Sequence, residues 1–543
     1  MLSMSKIADY LRDRLTGEVS AEPAVRKSFS TDGSVLQIVP QVVVYPRTTN
    51  DVRKLARFTW RLAERGQILP ITPRGGGTDT TGGAIGSGAV VAFPAHMARI
   101  LEFDAKSQMV RVQPGLNLFA LQEAMATHGL FLPPMSNDFK VSTVGGAFGC
   151  NLAGTKALKY GTLRDWTDRL EVVLANGEII QTGRISKHEL NAKKGLQTME
   201  GEIYRSLDSL IEDDTDLIYK MDENQTPNAS GYALNLVKAK DGSFDLTPLI
   251  IGSQGTLGIV VQAILRLASR PPEVSMIVAA ITSDQDLSAI TEDLLSLEPS
   301  EMEFIDGDTF ELIEKLGGGT PWKIVTDTRP AAMIFVEFDD KNRARKIKKA
   351  AKLLESAGVM DANIATEWED QESLRSIHHS VSNVTWYSNL GTSALPLAPD
   401  VVVEPTKVPL LLEKIHSLLH HHHIMGGIWG HLGTGTVSVR PLINLANLGQ
   451  RQIVFKFISE LGEVVSDLGG SLTGEFGEGR VAGVAASDQN GTELSELFAK
   501  VKQIFDPYGT LNSGVKVGVE QRDLLANLRQ EYDQRFAEFN FRG

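Results

Sequence analysis

Two or more packed domains of mixed helix and strand are what this sequence predicts, on three observations. The chain has 543 residues, and single hydrophobic cores stop growing near ~250–300 residues. Its first half alternates short β-branched runs with amphipathic stretches at close intervals. From about Pro272 the rhythm slows, and strand-like runs are separated by long helical segments.

The elements follow in order. Met1 to Thr16 alternates charges with Ile7, Leu11 and Leu15, a short amphipathic helix without the apolar core of a signal peptide. Gln41 to Tyr45 is a β-branched run. Asn50 then offers an N-cap to a helix with Val52, Leu55, Ala56, Leu62 and Ala63 on one face and Gly66 at its end. Gln67 to Arg74 reads as a strand running straight into a glycine cluster. Leu170 to Leu174, Asn176-Gly177 and Ile179 to Thr182 read as a hairpin, because both turn residues tolerate positive φ. Arg270-Pro271-Pro272 marks a domain joint. Beyond it, Ser275 to Ile281, Ala332 to Phe338 and Val401 to Glu404 read as strands, and Lys341 to Ala357 as a basic helix with a solvated face. His420 to His423 lie near a helix C-terminus, where they complement the dipole. Adjacent helical residues point in different directions, so the run reads as structural.

Composition excludes several classes. A net charge of -13 argues against a nucleic-acid surface, which needs clustered Lys and Arg. Apolar content of 42% and charged content of 22% are those of a globular protein. The single cysteine, Cys150, rules out a disulfide framework, a four-cysteine zinc site and an iron–sulfur cluster held by this chain alone. No apolar run approaches the ~20 residues that cross a bilayer, and the expected compartment is the cytoplasm.

The glycine cluster carries the first chemical signal. Pro73-Arg74-Gly75-Gly76-Gly77-Thr78-Asp79 runs on to Gly82-Gly83, Gly86 and Gly88. Consecutive residues without Cβ let several amides turn toward one anion, and a diphosphate is the natural guest. The P-loop pattern is absent, and Gly83, Gly86 and Gly88 do not give the Rossmann order.

Pro73 to Gly83 resembles the diphosphate loop of the vanillyl-alcohol-oxidase-type (PCMH-type) flavoproteins. Two further blocks resemble the same family: Ser142-Thr143-Val144-Gly145-Gly146 through Asn151, Gly154, Tyr160-Gly161 and Arg164-Asp165, and Gly252-Ser253-Gln254-Gly255-Thr256-Leu257-Gly258-Ile259. Asn228 to Asn235 resembles the stretch before the latter. The likeness spans roughly Ser30 to Leu267 and is closest to the D-lactate and D-2-hydroxyacid dehydrogenase branch. It implies an α+β fold: an N-terminal helix over 1–24, a two-part PCMH-type FAD-binding domain over 25–270, a C-terminal FAD-linked-oxidase cap domain with a ferredoxin-like antiparallel sheet and helices over 271–520, and a tail helix over 521–543.

The resemblance also implies site residues. Arg74, Gly75, Gly76, Gly77, Thr78 and Asp79 would wrap the diphosphate. Pro134, Ser136, Ser142, Thr143, Gly145, Gly146 and Asn151 would line the flavin and ribityl chain. Gly258 and Ile259 would contact the adenine side, and Asn512, in the segment Phe505 to Gly514, would approach the flavin. Some relatives attach FAD through a histidine matching Thr78; threonine cannot form that bond, so non-covalent FAD is expected. Cys150 reads as a small packed residue.

In the second half, Gly430-His431-Leu432-Gly433-Thr434-Gly435 with Arg440-Pro441-Leu442, and Gly469 to Gly477, resemble dehydrogenase motifs. Many relatives hold a metal between two histidines of the first and the glutamate of the second, followed by a histidine base. Here His431 and Glu475 match, but Ser438 stands at the second histidine and Phe476 at the base, so no metal is assigned. Glu475 and His431 are the candidate catalytic residues, and Arg375 the candidate grip on a substrate carboxylate, with His378 and His379 nearby. The expected activity is oxidation of a small anionic D-2-hydroxy acid (lactate, glycolate or 2-hydroxyglutarate-like) to the 2-oxo acid. Electrons would pass to a separate iron–sulfur protein or a quinone. The alternatives are a diverged flavin-binding subunit or homologue without hydroxyacid oxidation, and a redox-neutral enzyme of the alkylglycerone-phosphate synthase type.

Overall fold

The computed structural model describes residues 4–135, 140–223, 227–389 and 391–532. Its first part holds two larger sheets and a short ladder of Leu130–Phe131 with Ala268–Ser269. In one, Glu18–Ser20 pairs antiparallel with Val42–Tyr45, followed by Ala89–Ala92 and Ile71–Arg74 in parallel. The other is antiparallel throughout, in the order Ile100–Asp104, Met109–Val112, Ile259–Arg266, Thr167–Val173, Ile179–Gln181. The helix Thr49–Ala63 packs on the first sheet, with Val52, Leu55, Ala56, Leu62 and Ala63 buried. Its N-cap is Thr48, whose hydroxyl accepts from the Asp51 amide, not Asn50. Thr48 holds the extended backbone a cap requires, and Asn50 is already inside the first turn.

The Asn176-Gly177 hairpin forms between Thr167–Val173 and Ile179–Gln181, with Gly177 at φ +82°. The cap carries a nine-stranded antiparallel sheet. Its order is Ala362–Ala365, Ser275–Ile281, Ala332–Phe338, Glu301–Asp306, Gly426–His431, Thr436–Asn444, Thr392–Ala394, Ser388–Asn389, with Ala398–Val402 also pairing Thr436–Asn444. The strand expected at Val401–Glu404 thus starts earlier, at Ala398, and Glu404 lies beyond its end. The basic helix Arg343–Ser356 buries only Ile347, Ala350 and Leu354, leaving the rest of its face to solvent.

The two parts do not separate at a single point in the chain. The helix segment Gly483–Phe505 returns to the first part, where Leu497, Phe498, Val501 and Phe505 join the core around Tyr232 and Phe244. Leu511 bridges Ile71 as the outer neighbour of the strand that enters the glycine loop. Leu524, Leu528 and Tyr532 then pack with Val35 and Leu36 in the cap core. This weave forms a long cavity between glycine loop and cap sheet.

Candidate functional site

The cavity is walled at one end by backbone. Gly75, Gly76, Gly77, Thr78 and Asp79 line it opposite Ser142, Thr143, Gly145 and Gly146, with Gly258 further along. A Cβ on Gly75 would lie 2.0 Å from Thr143 Oγ1, and one on Gly145 would lie 2.8 Å from Pro114. Gly77 sits at φ +75° with the Arg74 guanidinium against its Cα. Any side chain at these places would displace the opposite wall. Among the described residues, the amides of Gly75 to Asp79 donate to no other group of the chain, the state of a loop built to hydrogen-bond an anion.

Two charged side chains shape this loop. Arg74 is buried and donates to the carbonyls of Thr31 (2.8 Å) and Ala84 (3.2 Å). Asp79 accepts from the Gly83 amide at 2.5 Å and from Thr81 Oγ1 at 2.9 Å. Burial, with the Asp32 charge nearby, pushes the Asp79 carboxyl up to about 6. Gln254, at φ 52°, donates to Thr81 (2.8 Å) and accepts from the Gly479 amide (3.0 Å), tying the loop to the segment behind Glu475.

Other expected contacts lie elsewhere. Asn512 does not line the cavity. It is fully buried, donating to the carbonyls of Gly83 (2.8 Å) and Gln254 (2.7 Å) and accepting from Thr72 (3.0 Å), so it braces the loop from behind. Asn151 caps the helix Val144–Cys150 in the left-handed region and accepts from the Arg164 amide. Ile259 belongs to the core of the first part. Pro134 is buried next to the lining residue Met135, and Ser136 lies outside the described residues. Cys150 also lines the cavity, and burial raises its thiol far above the usual range.

The other end is walled by side chains. In the hairpin Gly426–His431/Thr436–Asn444, Trp429 faces Ser438 and His431 faces Thr436. The period of two turns Thr436, Ser438 and Arg440 to one side, and all three line the cavity with Phe476 and Glu475. His431 Nδ1 lies 2.6 Å from Glu303 Oε1, and its Nε2 lies 3.6 Å from Glu475 Oε1. Burial alone would lower the imidazole, but the two carboxylates outweigh it and push its pKa up to about 10. Burial raises Glu475, partly offset by His431. Burial would likewise raise Glu303, but His431 and His378 hold it below the usual range. Behind Glu475 the buried Asp400 accepts from the Glu475 and Phe476 amides, both at 2.6 Å; burial moves it up to about 7.

Arg375 is not in the cavity wall. It pairs with Glu337, which also holds Lys156 at 2.6 Å, and it lies 3.7 Å from Glu301. The arginine in the wall is Arg440. Glu303 and Arg440 were not singled out as site residues in the sequence. Two signals point to them: glutamates at 301 and 303 in an otherwise apolar strand, each demanding a cation, and Arg440 in alternating register with Ser438.

Comparison with known proteins agrees with this division. A profile described as an FAD binding domain matches residues 40–183, and one described as the C-terminal domain of FAD linked oxidases matches 270–515. The chain is 29% identical to the D-2-hydroxyglutarate dehydrogenase of Escherichia coli over 94% of its own length and 52% of that protein's. It therefore spans about half the length of such relatives. It is 27% identical to a D-lactate dehydrogenase of Archaeoglobus fulgidus over 87% of this chain and 90% of that one. A solved structure of 4-ethylphenol oxidase from Gulosibacter chungangensis shares the fold, with a TM-score of 0.67, 17% identity and coverage of 96% and 97%. Among the described residues no helix is long and apolar enough to cross a membrane.

Proposed function

Because the chain belongs to the FAD-linked oxidase family, we propose that it is an FAD-dependent dehydrogenase that converts a small D-2-hydroxy acid to the 2-oxo acid. The observation that carries this reading is a single cavity with an anion-binding backbone at one end and Arg440, His431 and Glu475 at the other. Gly75 to Asp79 would hold the diphosphate of FAD, and Ser142, Thr143, Gly145 and Gly146 the opposite side. Thr78 has no imidazole for the histidyl link that the resemblance places there, and the proposed cofactor is held non-covalently. FAD, when bound, supplies the hydride acceptor.

The remaining roles belong to side chains of the chain. Arg440 pairs with the substrate carboxylate, for which a planar guanidinium is suited. Glu475, whose carboxyl burial raises above the ordinary range, takes the hydroxyl proton as general base. His431 carries a proton on each ring nitrogen, each facing a carboxylate. It is therefore a fixed positive charge that favours a developing alkoxide, rather than a base. Phe476 and Trp429 keep water from that region. Lactate, glycolate and 2-hydroxyglutarate are the substrate candidates. A separate iron–sulfur protein or a quinone would accept the electrons, and the cytoplasm is the proposed compartment.

A second reading rests on Ser438 and Phe476, which line the cavity where the resemblance expects histidines. In that reading the chain is a flavin-carrying subunit or homologue that oxidises no hydroxy acid. Anaerobic mixing of the purified yellow protein with a panel of D- and L-2-hydroxy acids decides between them. Bleaching of the flavin by a D-acid is the expected result. An unbleached flavin across the panel, still reducible by dithionite, would leave only the second reading, and restoring histidine at both positions would then test it.

A further inference from the structure

Three histidine–carboxylate clusters occur among the described residues, and one differs from the others in its donor count. His416 has Asp306 at 3.1 Å from Nε2 and Asp308 at 2.9 Å from Nδ1. Each ring nitrogen has its own carboxylate, and His416 is pushed up to about 10, chiefly by those hydrogen bonds. His431 hydrogen-bonds Glu303 through Nδ1 at 2.6 Å, with Glu475 at 3.6 Å from its Nε2. A ring closed at both nitrogens has no lone pair to offer an ion. At Glu460 the ratio is inverted, with two imidazoles, His421 and His422, sharing one carboxylate. Of the two rings, His422 is the one within hydrogen-bond distance of that carboxylate, and the His421 ring stands beside it with a ligand atom in reach of both.

We propose that His421, His422 and Glu460 bind one divalent transition-metal ion of the zinc class, fastening the end of one cap helix to the flank of the next. The helix Val408–His421 ends with His422 as its C-cap, and the chain turns at His423 with φ 55°. At this helix end the His421 and His422 rings lean together across the last turn. On the facing helix Leu448–Asp467, Phe457 and Glu460 are three residues apart and share a face. The His422 ring packs edge-on against Phe457, centroids 6.1 Å apart, while its Nε2 lies 2.5 Å from Glu460 Oε2. This ring is therefore oriented before any ion arrives, with only 6% of its side chain exposed. The His421 ring stands 5.1 Å from it in a T arrangement. One ligand atom from each of the three residues lies within 4.8 Å of the others.

Two imidazoles, one carboxylate and open positions for water form a known donor set for zinc, and the single negative charge suits a divalent cation. Lys456 lies 3.5 Å from the other Glu460 oxygen, Oε1, and is 60% exposed, so it can swing away.

The test uses the full-length protein stripped with a chelator, then titrated with Zn²⁺ by calorimetry, with Co²⁺ as a spectroscopic probe. Wild type should take up one equivalent that His421→Ala and Glu460→Gln bind at least tenfold more weakly. His420→Ala should keep it. His421 is exposed, so its replacement leaves the packing intact, and circular dichroism checks both variants. Zn²⁺ should raise the Tm of wild type but not of Glu460→Gln, because an ion bound only by the native state stabilises it. The proposal is overturned if wild type takes up no such equivalent, or if Glu460→Gln binds like wild type. It is equally overturned if His420→Ala costs as much as His421→Ala, which would mean a loose histidine tract.

Discussion

At one end of the cavity the wall is the backbone of a single loop, Gly75 to Asp79; at the other it is the side chains of Glu303, His431, Arg440 and Glu475, brought from separate strands and a distant loop. The first end is shaped by what is missing, since Gly75 and Gly77 leave space that a Cβ would close against Thr143 and Arg74. The second works by charges that fix one another, two carboxylates around one imidazolium. A loop of the first kind is lost by adding carbon atoms. A cluster of the second kind is lost by moving a proton.

The largest effect should come from Gly75→Val. Its Cβ would fall 2.0 Å from Thr143 Oγ1, the oxygen that caps the helix Val144–Cys150. We expect a colourless protein with flavin affinity reduced at least ~100-fold, because the anion cradle itself closes. Full yellow colour after incubation with FAD would remove the loop from the comparison. Next is Glu475→Gln, which should leave flavin content intact and slow anaerobic flavin reduction by ~10²–10⁴, the usual worth of a positioned base. Reduction at the wild-type rate would transfer the proton to another group.

The two arginines sharpen the contrast further. Arg440→Met should weaken hydroxy-acid binding by about 10- to 100-fold, from roughly 1.5–3 kcal/mol for a charge-assisted hydrogen bond. Arg375→Met should do the opposite, lowering Tm while sparing KM, because it leaves the buried Glu337 with one cation fewer. Exchanged phenotypes would restore Arg375 as the carboxylate grip.

The smallest effect is a pH dependence. His431 is raised from 6.5 to about 10 in the folded chain. Its stabilising contribution is fully present below 6.5 and is lost as pH rises through about 10, since the native state there binds more protons than the unfolded chain. Across that window Tm should fall more steeply for wild type than for His431→Asn. Parallel curves would mean that His431 is neutral.

The two ends also differ in how legible they were in the sequence. Gly75 to Asp79, Ser142, Thr143, Gly145 and Gly146 line the cavity as the motifs suggest, because each motif is a run of neighbours whose signal is local to the sequence. The strands Ser275–Ile281 and Ala332–Phe338 and the Asn176-Gly177 hairpin were legible for the same reason. Glu303 was not, since its role exists only when its strand pairs Phe304 with Gly430 and brings it to His431. The return of Gly483–Phe505 to the first part was hidden likewise, because periodicity shows that a helix has an apolar face but not which core receives it.

Asn512 braces the loop from a place more than four hundred residues along the chain, while Leu511 closes the sheet edge beside it. During synthesis the glycine loop leaves the ribosome some four hundred residues before the asparagine that backs it. A fragment that carries every glycine of the loop but stops before Asn512 would lack the side chain that ties Gly83 to Gln254.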